Sequence, residues 1–97
     1  MRQDGHLKQQ LNELSAVTKE TYGARIIGVF GSRASGEDTP ESDVDLLVEF
    51  NESATLFDYI DLCEFLEEEL GQPVDLVTEG SIREEMRDAI YNSLVRL

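Results

Sequence analysis

Residues 30–48 read FGSRASGEDTPESDVDLLV, and this stretch holds the pattern around which the chain is organised. It joins a Gly-Ser pair at the end of one apolar run to an Asp-x-Asp pair that opens the next, with residues 33–42 between them. If residues 43–50 form a strand, Asp43 and Asp45 point to the same face, about 7 Å apart along the chain. Carboxylates placed in this way suit Mg²⁺, which prefers oxygen ligands and is often shared with substrate phosphates.

A phosphate-binding turn is expected next to this metal site. Gly31 lets the backbone approach a ligand closely. The turn that follows can present N–H groups and the start of a short helix, at residues 32–35, to phosphate oxygens. A nucleoside triphosphate with its metal ions would fit between this turn and the two carboxylates.

Residue type, spacing and strand context together resemble a known signature. Phe30, Gly31 and Ser32, followed after the spacer by Asp43 and Asp45, are similar to the motif of the DNA polymerase β-like nucleotidyltransferase superfamily. The resemblance runs from about residue 26 to residue 77. In so short a chain it is similar to the minimal nucleotidyltransferase (MNT) family, the MntA-like antitoxins that are paired with HEPN toxins.

The resemblance implies roles for the site residues. Asp43 and Asp45 would bind Mg²⁺. Asp75 would be the third catalytic carboxylate, which completes a second metal site and helps to position or deprotonate the acceptor hydroxyl. The implied nucleotide-binding residues are Gly31, Ser32 and Arg33. The sequence leaves open whether Arg33 binds the triphosphate or only braces the loop.

Asp75 also stands out without the resemblance. It is the single polar side chain in the run at residues 73–77. A carboxylate in an apolar strand is costly to bury unless it is paired or bound to metal. The alternative is an edge strand on which Asp75 faces water.

The resemblance further implies an activity and a partner. Mg²⁺-dependent transfer of AMP from ATP to a tyrosine of a cognate HEPN toxin would silence the RNase activity of that toxin. One alternative is a subunit that nucleotidylates a small molecule such as an aminoglycoside. Another is a binding module that neutralises its partner by occlusion without catalysis, and a third is that Asp43 and Asp45 only cap turns.

Length and charge narrow the function. The 97 residues allow one domain, residues 1–97, with a modest core that association with itself or a partner would support. The formal charge of −13 makes direct binding of nucleic acid a poor hypothesis and favours a basic protein partner. The absence of a long apolar run or a signal segment argues against a membrane span and predicts a cytoplasmic protein, compatible with the single Cys63.

Periodicity predicts an α/β (α+β) fold, with a small mixed sheet flanked by helices, and the resemblance adds the nucleotidyltransferase fold. A Ser81–Glu84 capping box is expected to open the last helix. The predicted elements are helices at 4–22, 56–70 and 81–94, the short helix at 32–35, and strands at 25–30, 43–50 and 73–77. Helical spacing predicts apolar faces that include Val17 on the first helix, Phe57 and Ile60 on the second long helix, and Met86 and Ala89 on the last.

Side chains outside the motif receive simpler interpretations. His6 is expected at the surface, because no cluster of metal ligands surrounds it. Cys63 is expected in the core. Solvated acidic groups are expected at Glu37, Asp38 and Glu41 in the loop and at Glu67, Glu68 and Glu69 on the second long helix.

Overall fold

The computed structural model describes residues 3–31 and 43–97, with side chains from residue 7 onward. The predicted helix at 32–35, the acidic loop and the side chain of His6 lie outside these residues. In chain order the elements are helix α1 (Gln3–Tyr22), strand β1 (Ala24–Phe30), strand β2 (Val44–Phe50), helix α2 (Leu56–Leu70), strand β3 (Val74–Thr78), a 3₁₀ turn (Glu79–Ser81), helix α3 (Glu84–Ser93) and strand β4 (Val95–Arg96).

The four strands form one mixed sheet in the order β3-β2-β1-β4. β1 is antiparallel to both β2 and β4, whereas β2 and β3 are parallel. The parallel pair is joined through α2, as parallel strands require a crossover connection. The mixed sheet flanked by helices confirms the predicted fold class.

The core lies on one face of the sheet. Alternate residues of β2 and β3 point into it and pack against the leucines of α1 and α2. Leu47 is also fully buried but points to the opposite face, because it lies between two core residues of β2. The core cluster is Leu7, Leu11, Ala24, Ile26, Val29, Val44, Leu46, Val48, Leu62, Leu66, Leu70, Val74 and Leu76.

Side chains of α2 cover the outer edge of β3. The Tyr59 hydroxyl donates to the Leu76 carbonyl at 2.6 Å, and the Cys63 thiol donates to the Val74 carbonyl at 3.4 Å. The Glu67 carboxylate accepts from the Val74 N–H at 3.0 Å. Tyr59, Cys63 and Glu67 are four residues apart and share one helix face, so they form an edge ladder over backbone groups that an edge strand otherwise leaves open.

This ladder changes two predictions. Cys63 is only partly buried and packs at the margin of the core rather than inside it. Glu68 and Glu69 are exposed as expected, but Glu67 is half-buried because its carboxylate is bonded to β3. The prediction that all three glutamates form a solvated face was therefore wrong for Glu67.

The start of the last helix was also predicted wrongly. α3 begins at Glu84, and Arg83 precedes it in extended geometry without a side-chain cap. Ser81 lies in the 3₁₀ turn, where its hydroxyl donates to the Thr78 carbonyl at 3.0 Å and so is engaged upstream. Leu94 leaves the helix, and the residues after it form β4, a two-residue strand that the sequence pattern did not predict.

Helical spacing identified the buried face of each helix only in part. In α1 the expected Val17 is 42% exposed, whereas Thr18 beside it is buried and its hydroxyl donates to the Ser15 carbonyl. In α3, Ile90 is buried but Met86 and Ala89 are exposed. The remaining exceptions are Phe57 and Ile60 of α2, which face outwards.

Candidate functional site

The strand register brings two predicted site residues together. β2 and β3 run parallel with Asp45 and Asp75 as register partners, so the two carboxylates lie on the same face at the same level of the sheet. Asp43 precedes β2 by one residue and is exposed. The face that carries these residues is opposite the main core, since Val44 and Leu46 on either side of Asp45 point into the core.

Asp75 reaches this position by a different route from the one that the sequence suggested. β3 is an edge strand and Asp75 is exposed, so the argument from a costly buried carboxylate does not hold. Its place beside Asp45 is the observation that links it to the site. Exposure at the sheet edge leaves Asp75 accessible to a ligand that approaches from solvent.

The electrostatics of Asp45 reflect its crowded surroundings. Burial raises the pKa of Asp45 above its ordinary value, and the negative charges of Asp75 and then Asp43 raise the pKa further. Each cause disfavours the ionised carboxylate. Asp75 and Asp43 are therefore both close enough to Asp45 for their charges to act on its carboxylate.

Gly31 forms the other wall of the site. It follows β1 with φ of +77°, a left-handed conformation that side chains rarely adopt. A Cβ atom at this position would clash with Oδ2 of Asp45. Only a residue without a side chain lets the turn pass so close to the carboxylate, whereas the predicted approach of Gly31 to a ligand stays a prediction.

A residue that the motif did not include fixes this turn. The Gly31 N–H donates to the Ser93 hydroxyl at 3.2 Å, across 62 positions of sequence. The same hydroxyl lies 3.2 Å from the carbonyls of Ala89 and Ile90 within α3. The pattern around Ser93 gives no sign of this contact, because only the fold brings the end of α3 to the end of β1.

The remaining predicted site residues, Ser32 and Arg33, lie outside the residues that the structure describes. Their predicted roles in nucleotide binding stay predictions. The described part of the site therefore consists of the carboxylates of Asp43, Asp45 and Asp75 together with the Gly31 turn.

The carboxylates suit Mg²⁺ by their chemistry. In residues 7–31 and 43–97, no three His, Cys, Asp or Glu side chains already converge as a metal site would require. However, Asp43, Asp45 and Asp75 offer hard oxygen donors, the ligand type that Mg²⁺ prefers. A divalent cation between them would also oppose the repulsion that raises the pKa of Asp45. The residues that would hold it are Asp43 and Asp45, with Asp75 beside them.

Comparison with known proteins places this geometry in a family. The model of the family described as the nucleotidyltransferase domain matches residues 8–97. The chain belongs to this family. The domain is therefore a nucleotidyltransferase, and the carboxylates and Gly31 turn described above lie within the matched region.

Curated relatives of this nucleotidyltransferase include archaeal proteins. The chain is 43% identical over 77 residues to the protein adenylyltransferase MntA of Thermococcus cleftensis, which covers 79% of this chain and 78% of the relative. A protein of Methanocaldococcus jannaschii, provisionally named as a protein adenylyltransferase, is 40% identical over 84 residues, which is 84% of each chain.

Solved structures resemble the nucleotidyltransferase along nearly its whole length. A protein provisionally described as a minimal nucleotidyltransferase superposes with a TM-score of 0.80 at 34% identity, covering all of this chain and 97% of the other. A toxin–antitoxin crystal structure with AMP-PNP superposes with a TM-score of 0.68 at 19% identity, covering 96% of this chain and 70% of the other. At that identity the second likeness establishes the fold alone.

No helix within residues 3–31 and 43–97 is both long and apolar enough to cross a membrane.

Proposed function

We propose that this nucleotidyltransferase transfers AMP from ATP to a tyrosine hydroxyl of a HEPN-type RNase toxin and so acts as an antitoxin. The observation that carries the proposal is the pairing of Asp45 with Asp75 beside the Gly31 turn. This arrangement puts metal-binding oxygens next to a backbone turn that can accept phosphates. The name of the T. cleftensis relative supports a protein as the acceptor.

Each residue has a distinct part in the proposed reaction. Asp43 and Asp45 would hold Mg²⁺, which would offset the negative charge of the triphosphate. The Gly31 turn, with Ser32, cradles the β- and γ-phosphates, while Arg33 either joins them or braces the loop. Asp75 orients the acceptor hydroxyl and accepts its proton.

The transfer itself balances as a substitution at phosphorus. The acceptor oxygen forms a bond to the α-phosphorus while the bond from that phosphorus to the bridging oxygen breaks, so pyrophosphate leaves. The hydroxyl proton passes to Asp75 and then to solvent. Because no covalent intermediate is needed, the site acts by alignment and by stabilising charge, as is general in phosphoryl-type transfer.

Separate observations support ATP as the nucleotide donor and a toxin as the acceptor. AMP-PNP, an ATP analogue, is present in the toxin–antitoxin structure whose fold this chain shares. The formal charge of −13 suits a basic protein acceptor better than a nucleic acid. The charge suits any cationic acceptor, an aminoglycoside included, so it is the name of the T. cleftensis relative, a protein adenylyltransferase, that favours a protein as the acceptor.

Radiolabelled transfer tests the proposal. The purified protein is incubated with Mg²⁺ and α-³²P-ATP, alone and with each HEPN-domain protein encoded in the same genome. We expect label on one HEPN protein, its loss with EDTA, and no label from γ-³²P-ATP, because pyrophosphate leaves. Asp43→Asn is expected to reduce labelling by at least about 100-fold, as removal of a key catalytic group commonly does.

Controls separate the alternatives. Asp88→Asn removes an exposed carboxylate on α3 and is expected to retain full labelling. Label on an aminoglycoside but not on protein would replace the toxin with a small-molecule acceptor. Toxin neutralisation that survives Asp43→Asn combined with Asp45→Asn, with no label on any acceptor, would contradict the proposed chemistry and indicate occlusion.

A further inference from the structure

Three large apolar side chains face solvent at the start of α2. Leu56 is 72% exposed, Phe57 is 77% exposed and Ile60 is 44% exposed. Ile60 lies four residues after Leu56 and three after Phe57, so all three lie on one side of the helix within its first two turns. These residues are called the α2 patch below.

The α2 patch is displayed by a well-formed helix end. The Thr55 N–H donates to the Asp58 carboxylate at 2.9 Å, and the Asp58 N–H donates to the Thr55 hydroxyl at 3.4 Å. This reciprocal capping box fixes the first turn. The apolar side chains are therefore held in a definite arrangement, which favours binding because little order remains to be imposed.

The stretch of sequence that contains the patch carries charge of one sign. Residues 34–82 contain 15 of the 21 acidic residues of the chain and none of its eight Lys and Arg residues or its one His. Exposed carboxylates at Glu52, Asp61 and Glu64 lie close in sequence to the patch. An apolar centre with an acidic rim is complementary to an apolar pocket surrounded by Lys and Arg.

This charge selects among possible occupants. A second copy would bring the same acidic rim against itself, and like charges across an interface are unfavourable. Nucleic acid and anionic membrane surfaces are repelled for the same reason. A basic protein surface with an apolar pocket is the remaining complementary partner.

The patch lies near the edge of the sheet, at strand β3, where Asp75 is exposed. Tyr59, in the same helical turn, donates its hydroxyl to the carbonyl of Leu76, the residue after Asp75 on the edge strand β3. The negative charge of Asp75 also contributes, after burial, to a raised pKa of Tyr59. A protein seated on the patch would thus lie beside the edge from which Asp75 is reached.

We propose that the α2 patch docks the protein that accepts the nucleotide, through a basic surface that contains an apolar pocket. The inference rests on the proposed function, which supplies the acceptor. Leu56 and Phe57 enter the pocket, and the surrounding carboxylates pair with its Lys and Arg residues. Docking at this edge presents the acceptor hydroxyl to Asp75 and Asp45.

The test measures complex formation separately from transfer. Isothermal titration calorimetry measures the affinity for each HEPN-domain protein encoded in the same genome, at low and high NaCl. For the protein that binds, we expect Leu56→Ala combined with Phe57→Ala to weaken the complex at least about 30-fold, the scale of lost hot-spot side chains. Met86→Ala, which shortens an exposed side chain on α3, is the matched control and is expected to change nothing.

Two further measurements test charge and folding. Glu64→Lys is expected to weaken binding at low salt and to have little effect at high salt, because exposed charges are screened. Circular dichroism and the binding of labelled ATP·Mg²⁺ are expected to match wild type in the patch variant. At saturating partner concentration the patch variant is expected to regain transfer, since its catalytic residues are intact.

The outcomes separate the patch from the chemistry. Wild-type transfer together with unchanged affinity of the patch variant would overturn the docking surface and leave the proposed function intact. Patch-dependent binding without transfer would keep the docking surface and overturn the proposed chemistry. No binding of any HEPN protein at low salt would overturn the docking proposal. The proposal would also be overturned if sedimentation analysis showed a dimer of the wild-type protein that the patch substitutions dissociate.

Discussion

Asp45 and Asp75 are register partners on the parallel strands β2 and β3, so two carboxylates of different strands face the same side of the sheet. Their proximity carries an energetic penalty in the metal-free protein. Burial, Asp75 and Asp43, in that order, raise the pKa of Asp45. If these carboxylates bind a cation as proposed, the site sacrifices some stability of the metal-free protein for function.

Asp45→Asn is accordingly expected to stabilise the metal-free protein. The raised pKa means that ionising Asp45 destabilises the fold, so the gain is present above that pKa and fades as the pH falls towards about 4, where Asp in an unfolded chain titrates. Half-exposed carboxylates are screened by solvent, so we expect less than about 1 kcal/mol. Thermal unfolding in EDTA at pH 7 and pH 4 measures this gain in stability, with Asp88→Asn as the control. An unchanged or lower melting temperature at pH 7 would contradict the prediction.

Gly31→Ala is expected to impair both stability and nucleotidyl transfer. The left-handed backbone alone costs roughly 1–2 kcal/mol for a residue with a Cβ. At Gly31 that atom would also clash with Oδ2 of Asp45, whereas at Gly71, with φ of +69°, it would meet nothing within 4 Å. Urea unfolding of both alanine variants therefore isolates the clash. Equal losses of stability at the two positions would show that the Asp45 side chain moves aside at little energetic cost.

Ser93 is predicted to position the Gly31 turn. Ser93→Ala removes the acceptor of the Gly31 N–H, a bond worth about 0.5–1.5 kcal/mol, so we expect the KM for ATP to rise several-fold with a smaller change in kcat. Ser93→Thr keeps the hydroxyl and is expected to restore KM. If Ser93→Ala lowers the melting temperature while leaving KM unaltered, the residue is structural only.

The Cys63 thiol is predicted to react slowly with thiol reagents. Burial raises its pKa, and the carboxylates of Glu67, Asp75 and Glu64 raise it further, so little thiolate forms near neutral pH. We expect Ellman's reagent at pH 8 to react at least about tenfold more slowly than with free cysteine, and faster as the pH rises. Unfolding in urea should restore the ordinary rate. A fast reaction in the folded protein would mean that α2 opens readily from β3.

The sequence predicted the parts of this molecule that depend on local chemistry. The Asp-x-Asp spacing identified Asp43 and Asp45 as candidate site residues, a role that stays a prediction. The apolar runs located α1, α2 and the three longer strands to within about two residues. The capping box of α2 has the Thr55-x-x-Asp58 pattern, so a search for Asp as well as Glu at the third position would have found it.

Long-range contacts explain what was missed. Ser93 reaches Gly31 across 62 residues, and β4 exists only because β1 offers it a partner. The outward-facing Phe57 contradicts its helical spacing, because α2 packs through Leu62, Leu66 and Leu70 instead. Which side of a helix meets the sheet is decided by tertiary packing, and periodicity alone leaves it ambiguous where apolar residues surround the helix.

The edge ladder of Tyr59, Cys63 and Glu67 restricts how this protein can meet other chains. Its hydroxyl, thiol and carboxylate already occupy the Leu76 carbonyl and both polar backbone groups of Val74. A visiting strand would have to displace α2 before it could pair with β3. A partner at this edge must therefore be recognised through side-chain contacts rather than by adding a strand through backbone hydrogen bonds. This favours a folded partner over an extended peptide.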